Sequence, residues 1–104
     1  GSKSEFYNKI GQVYGQHYRK IDSSIYYLKM AEKYDSNNVT VMENLGVAIS
    51  MTGNFDLALP YFEKALLSEP EKAQLHMILY LTYRNLGKLK KAKYHLGLYQ
   101  KFKK

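Results

Sequence analysis

The 104-residue chain has no cysteine, no tryptophan and two prolines. Without cysteine, neither a disulfide framework nor a thiolate metal site can form. No apolar stretch approaches the roughly 18 residues that a membrane-spanning helix needs. With seven glycines and two prolines, the chain does not have the composition of a disordered or collagen-like protein. The length suits one small domain, and 45% of its residues are hydrophobic and available for a core.

The N-terminus gives little information about cellular location. The chain begins with Gly1-Ser2, a dipeptide typical of the residues left by a cleaved tag, and no signal-peptide pattern is visible. The natural first residue and the compartment are therefore left open, with the cytoplasm favoured.

Acidic residues are absent from the C-terminal end of the chain. Residues 1–87 contain nine Lys and Arg and all nine Asp and Glu, whereas residues 88–104 contain seven Lys and no acid. The formal net charge of +7 therefore comes entirely from this basic segment. A basic protein is a candidate for nucleic-acid binding. Because the body of the chain is neutral, we expect neither nucleic acid nor a membrane to be the main partner.

An internal repeat is the strongest pattern in the sequence. Leu45 and Gly53 recur, at the same separation, as Leu79 and Gly87. The repeat period is about 34 residues, and self-similarity at a fixed period of this length is typical of repeat proteins. Three units result, at residues 4–38, 39–72 and 73–104.

Each unit is predicted to contain two helices joined by a turn. In the second unit, apolar side chains recur at helical spacing on both sides of a break at Thr52-Gly53-Asn54. Gly53 suits a left-handed residue after a helix, and Asn54 suits an N-cap. Pro70 suits the opening of the next helix. Linkers this short permit only antiparallel neighbours, so we predict an all-α fold of about six helices.

The second unit resembles a known repeat. The residues that carry the resemblance are Leu45-Gly46, Ile49, Gly53, Ala58, Phe62, Ala65 and Pro70. They are similar to the signature of the tetratricopeptide repeat, which has Leu-Gly, Tyr, Gly, Ala, an aromatic residue, Ala and Pro at these spacings. The other two units keep part of the signature, so the resemblance covers essentially the whole chain. It implies a right-handed α-solenoid of three tandem repeats that binds peptides or protein surfaces and does not catalyse a reaction.

The resemblance implies a groove along the first helices of the three units. The residues expected to face it are Asn8, Gln12, Asn44, Val47, Met51, Gln74, Met77, Ile78, Leu81 and Arg84. A wider set adds Glu5, Lys9, Gln16, Thr40, Glu43, Ser50 and Asn85. We expect a protein or peptide partner, with no cofactor, metal or small-molecule substrate. An open alternative is that apolar members of the set pack between neighbouring first helices.

One subset of this family clamps the C-terminal carboxylate of chaperones with Lys, Arg and Asn side chains. Among the matching positions, only Asn44 carries the residue type of that pattern. The other positions, where the pattern uses Lys, Asn, Lys and Arg, hold Asn8, Gln12, Gln74 and Ile78. Without cations the clamp loses its charge-assisted hydrogen bonds, so we predict no specific binding of acidic chaperone tails.

No constellation of catalytic or metal-binding residues is visible. His17, His76 and His95 are isolated in the sequence, and no pair has the spacing that places two ligands on one helical face. His76 stands where the family has a large residue of the first helix, so we expect a packed histidine there. An enzyme is the least supported class.

Two further expectations concern single helices. Pro60 lies inside a predicted helix and should bend it near Asp56–Pro60. No polar capping helix follows the basic segment, so its apolar side chains form a candidate self-association face. The residues of that face are Tyr94, Leu98 and Phe102. Homodimerisation is thus a second hypothesis, and contact of residues 88–104 with nucleic acid or an anionic membrane is a third.

Overall fold

The computed structural model describes residues 2–104, and Gly1 of the expected tag remnant lies outside the described residues. The helices are α1 Ser2–Gln16, α2 Ile21–Tyr34, α3 Val39–Ser50, α4 Phe55–Ser68, α5 Ala73–Asn85 and α6 Leu89–Phe102. They form three consecutive pairs, and each pair stacks on the next through α2 on α3 and α4 on α5. Residues 2–104 contain no strand. This is the all-α helical-repeat solenoid that the sequence predicts.

Small residues mark the helix crossings within the pairs. A Cβ atom on Gly46 would lie 2.4 Å from Cε1 of Phe62, and one on Gly11 would lie 2.6 Å from Cγ of Leu28. Ala58 is fully buried. Because real Cβ atoms do not approach other atoms so closely, the larger residue of each pair occupies the space that glycine leaves.

The core repeats the same contact between successive pairs. Leu28 of α2 packs against Leu45 of α3. Phe62 of α4 packs against Leu79 of α5 in the same way. All four side chains are fully buried, and burial of a side chain of this size contributes about 1.5–3 kcal/mol. The stacked stripes therefore hold the solenoid together.

The turn inside each pair contains one left-handed residue. Gly53 has φ +86° and Gly87 has φ +75°, and the prediction for Gly53 is confirmed. Arg19 stands one repeat period before Gly53, at the equivalent position of the first pair, and it has φ +52°. Side chains with a Cβ adopt this region at a cost, so the first turn is strained where the other two are not.

Two predicted helix ends differ from the structure. Asn54 occupies the N-cap position of α4 as expected, but its side chain makes no cap hydrogen bond; its Nδ2 donates to Oγ1 of Thr52 at 2.9 Å. Pro70 does not open α5, which begins at Ala73. Asn54 is therefore the N-cap by position only, whereas Pro70 belongs to the turn before α5.

Pro60 lies inside α4, which continues from Phe55 to Ser68. Proline has no N–H, so the carbonyl of Asp56 loses the donor that would close the helical turn. Pro60 lies on the exposed side of the helix, where water can reach this carbonyl. The bend expected near Pro60 stays a prediction.

Candidate functional site

Two adjoining depressions lie along the first helices of the pairs. The first is bounded by α1, α2 and α3 and has a volume of about 320 Å³. The second is bounded by α3, α4 and α5 and has a volume of about 310 Å³. Val47 and Met51 line both depressions and form the ridge between them. We call the two depressions together the groove.

The structure places most of the predicted groove residues in this surface. Those that line it are Gln12, Asn44, Val47, Met51, Ile78 and Leu81. Asn8 lies beside it, where its Oδ1 accepts a hydrogen bond from Nδ2 of Asn44 at 2.9 Å. This amide pair joins α1 to α3 at the polar end of the groove. Gln74, Met77 and Arg84 line neither depression.

Three of the predicted side chains are engaged elsewhere. Nη1 of Arg84 donates to the hydroxyl of Tyr80 at 3.2 Å on the same helix. Glu43 is buried, and its Oε1 accepts from Nζ of Lys72 at 2.6 Å. Lys9 lines a separate depression on the outer face of α1. For Arg84 and Glu43 the reason is that helical phase alone does not show which neighbour a long side chain reaches.

The apolar side chains of the groove divide into exposed and packed ones. Met51 is 59% exposed and Leu81 is 38% exposed. Ile78 packs against the cluster that joins α4, α5 and α6. Ile78 therefore packs between helices, whereas the side chains of Met51 and Leu81 are available to a ligand. Exposed apolar groups in a concave surface suit the anchoring of apolar ligand groups.

Among the lining residues that the sequence reasoning missed, Arg19 and Phe55 add a charge and an aromatic ring to the groove. Arg19 lines the first depression, and no other Lys or Arg of residues 2–104 lines either one. Phe55, the first residue of α4, lines the second depression. A signal for Arg19 exists, because the repeat period aligns it with the turn residues Gly53 and Gly87. Nothing comparable marks Phe55.

A pair of buried histidines links α5 to α6. Nδ1 of His76 lies 3.0 Å from Nδ1 of His95, and Nε2 of His76 lies 2.8 Å from the carbonyl oxygen of Pro70. A carbonyl only accepts, so Nε2 of His76 carries a hydrogen. In the neutral pair, Nδ1 of His76 then accepts from Nδ1–H of His95. The packing expected of His76 is confirmed, since the side chain is 2% exposed.

The surroundings of His95 disfavour its charged form. Burial lowers the pKa of His95, the neighbouring His76 lowers it further, and Glu63 opposes them. The ring of Tyr83 stacks on His95 with centroids 5.6 Å apart. The hydroxyl of Tyr83 donates to Oε1 of Glu63 at 2.7 Å. Burial, this hydrogen bond and the Glu63 charge together raise the pKa of Tyr83 to about 12.

The three residues of the self-association face expected on α6 differ in how far they are exposed to solvent. Tyr94 is 65% exposed, and Leu98 is half-buried. Phe102 stacks on the ring of His76 with centroids 5.6 Å apart, so it takes part in packing within the chain.

Within residues 2–104, every helix is too short or too polar to cross a membrane. The same described residues place no three His, Cys, Asp or Glu side chains together to hold a metal ion.

Comparison with known sequences finds similarity over part of the chain. No protein-family model matches it. Over 62 residues, 60% of the chain, it is 37% identical to "Protein O-mannosyl-transferase TMTC3" of Homo sapiens. The corresponding protein of Mus musculus is 36% identical over the same length. The chain spans about 7% of the length of these curated relatives.

Solved structures of MamA share the fold over nearly the whole chain. MamA AMB-1 in its P212121 crystal form superposes with a TM-score of 0.85 and 26% identity, covering 94% of this chain and 53% of that one. The C2221 crystal form gives a TM-score of 0.85 and 25% identity, covering 95% and 58%. Together with the six stacked helices, this likeness defines an α-helical repeat solenoid.

Proposed function

We propose that the chain is a non-catalytic interaction domain of the tetratricopeptide-repeat type, which binds a peptide or protein surface in the groove. The observation that carries the proposal is the ridge of Val47 and Met51, which are 44% and 59% exposed between two depressions. Covering such side chains contributes about 25 cal/mol per Å² of apolar area. The likeness to MamA and the partial similarity to TMTC3 support a repeat scaffold of this kind.

The two halves of the groove favour different chemical groups on the ligand. The second depression is largely apolar, with Phe55 and Leu81 in its lining, and it suits a bulky apolar side chain. The first depression contains Arg19 beside Gln12, and it suits a carboxylate or an amide. We therefore propose a ligand peptide that carries an apolar anchor followed or preceded by an acidic residue.

A peptide-library selection tests this proposal. Peptides are selected on the native protein and then measured on Met51→Glu/Leu81→Glu. The matched control is Leu67→Glu/Leu89→Glu, which alters two leucines that are 85% and 68% exposed and line neither depression. We expect the groove variant to lose affinity at least about tenfold and the control to stay within about twofold. Equal binding of the selected peptides to both variants would contradict the proposal.

Self-association through α6 is a second candidate function. It is favoured by the exposure of Tyr94, 65% of whose surface is open to solvent. Sedimentation equilibrium at about 50 μM, a weak-association scale, tests it with the native protein and Tyr94→Glu. A dimer that Tyr94→Glu dissociates supports this candidate, and a monomer in both cases removes it.

A further inference from the structure

The outward side of α6 carries a row of basic residues that lines neither depression of the groove. Lys90, Lys91 and Lys101 are exposed, and Tyr94, which lies between them, is 65% exposed. Tyr94 follows the first two lysines by four and three residues and precedes Lys101 by seven, so the four side chains share one side of the helix. We call these four residues the basic face.

The place of the basic face in the repeat keeps it open to solvent. One repeat period earlier, α4 has Asp56, Leu57, Pro60 and Leu67 at the equivalent positions. All four are exposed, although α5 stacks on α4. A further helix pair that stacked on α6 in the same way would therefore leave the basic face in solvent.

No carboxylate neutralises the basic face. The last acid of the sequence is Glu71, and in the described part of the chain none of the three lysines of the face forms an ion pair. Nζ of Lys91 lies 5.6 Å from the ring centroid of Tyr83, and Nζ of Lys101 lies 5.3 Å from that of Phe102. Contacts with aromatic rings leave the positive charges in place, so the face is available to an anionic partner.

The lysines at the start of α6 do not stabilise that helix. Lys90 and Lys91 lie in its first turn, which contains no acid, and the positive end of the helix dipole makes cations unfavourable there. The position of Lys90 is occupied by Asp22 in α2 and by Asp56 in α4. Both are first-turn acids of the kind that the dipole favours. Helix stability therefore does not explain the lysines of α6.

We infer that the basic face is a contact site for the surface of an anionic phospholipid membrane. The ammonium groups of Lys90, Lys91 and Lys101 lie among the anionic lipid headgroups. The ring of Tyr94 lies at the level of the headgroups, where its apolar body and its polar hydroxyl are both accommodated. The contact is peripheral and lies apart from the groove, so it is a function additional to peptide binding.

Shape and composition favour a membrane over nucleic acid or a second copy of the chain. Sites for single-stranded nucleic acid are grooves in which several aromatic rings stack with bases, whereas the basic face is the convex side of a helix with one exposed ring. In α4, which shares a buried cluster with α6, the equivalent row includes Leu57 and Leu67, 59% and 85% exposed. Lysines beside exposed leucines are typical of surfaces that lie in a membrane interface. Contact between two basic faces would set lysines against lysines, which is unfavourable.

Two variants of equal net charge are designed for the test. The face variant is Lys90→Asp/Lys91→Glu, and its aspartate gives α6 the first-turn acid that α2 and α4 have, so we expect it to fold. The control variant is Lys9→Glu/Lys20→Glu, which reverses two exposed lysines elsewhere. Each variant lowers the formal net charge by four, from +7 to +3. Circular dichroism verifies that both are folded.

Co-sedimentation with vesicles measures the contact. The vesicles consist of phosphatidylcholine, either alone or with about 30% phosphatidylserine. We expect the native protein to bind only the vesicles with phosphatidylserine, the face variant to bind them at least about tenfold more weakly, and the control variant to stay within about twofold. Tyr94→Ala should weaken binding about twofold or more without a change of charge. Salt at about 0.5 M should weaken it several-fold.

Three results would overturn the inference. The first is binding that is absent at about 20 mM salt, where charge is screened least, or that is the same with and without phosphatidylserine. The second is an equal loss of binding in the face variant and the control variant, which would mean that net charge rather than the basic face attracts the protein. The third is tighter binding to an oligonucleotide than to the vesicles, abolished in the face variant, which would assign the face to nucleic acid.

Discussion

His95 donates Nδ1–H to Nδ1 of His76 across 3.0 Å, and this hydrogen bond fixes both rings in one pair of tautomers. A proton added to Nδ1 of His76 would set two donors against each other, because Nε2 of His76 already donates to the carbonyl of Pro70. Protonation of His95 at its other ring nitrogen would keep this hydrogen bond but would place a positive charge in a buried site beside His76. The role of the histidine pair is structural, and it makes the stability of the third helix pair depend on pH.

Acid should destabilise the fold through His95. The pKa of His95 in the folded chain lies below its ordinary value of 6.5, so the unfolded chain binds more protons below that pH. Stability is fully present above pH 6.5 and falls as the pH drops below it. Urea unfolding between about pH 7.5 and 5.5 measures the decline. His95→Gln, which keeps a donor and does not titrate, should flatten it, whereas exposed His17→Gln should not. Equal slopes in both variants would refute this account.

Two glycines in helices should respond oppositely to alanine. A Cβ on Gly46 would meet the buried ring of Phe62 at 2.4 Å, whereas one on Gly97 meets nothing within 4 Å. Gly46→Ala should lower the free energy of unfolding by about 1–3 kcal/mol through overpacking. Gly97→Ala should raise it by about 0.5–1 kcal/mol, because alanine favours a helix. Chemical denaturation measures both, and a Gly46→Ala variant as stable as the native protein would show that the crossing at Gly46 is not tight.

Arg19→Gly should stabilise the protein. Arg19 has φ +52°, in a region that glycine occupies without a Cβ penalty. We expect the free energy of unfolding to rise by about 0.5–1 kcal/mol. Lys20→Gly in the same turn is the control, because Lys20 has φ −95° and no such strain. Comparable effects of the two substitutions on the thermal midpoint would argue that the backbone at Arg19 is unstrained.

Lys72→Met should destabilise the fold by leaving Glu43 without its ion-pair partner. Nζ of Lys72 lies 2.6 Å from Oε1 of Glu43, whose side chain is 10% exposed. An unpaired buried carboxylate costs about 1–3 kcal/mol. Lys64→Met is the control, because Lys64 bonds the carbonyl of Ser36 at an exposed site and should cost less than about 0.5 kcal/mol. Adding Glu43→Gln to Lys72→Met should restore part of the loss, and no restoration would mean that the pair is not coupled.

The helix pairs could be predicted because small and large residues recur with one period. Gly46 and Phe62 belong to the same repeat signature, and in the structure they meet at the same crossing. The ridge residues Val47 and Met51 follow from the same helical phase, since they lie on the side of α3 away from its packing stripe.

Contacts between long side chains could not be predicted in this way. His76 and His95 are 19 residues apart on different helices, and their meeting depends on how α5 and α6 are set against each other. Glu43 has the phase of a groove residue, yet Lys72 reaches it across the next turn. Periodicity fixes which side of a helix a residue occupies, and only the packed structure fixes its partner.

Methyl NMR of the native protein tests the groove most directly. The methyl groups of Val47, Met51 and Leu81 are followed during titration with a peptide selected on the native protein, with Leu67 and Leu89 as exposed controls. We predict saturating shifts at the three groove residues and none at the two controls. Shifts confined to Leu67 and Leu89, with the groove methyls unchanged, would contradict the proposed site of binding.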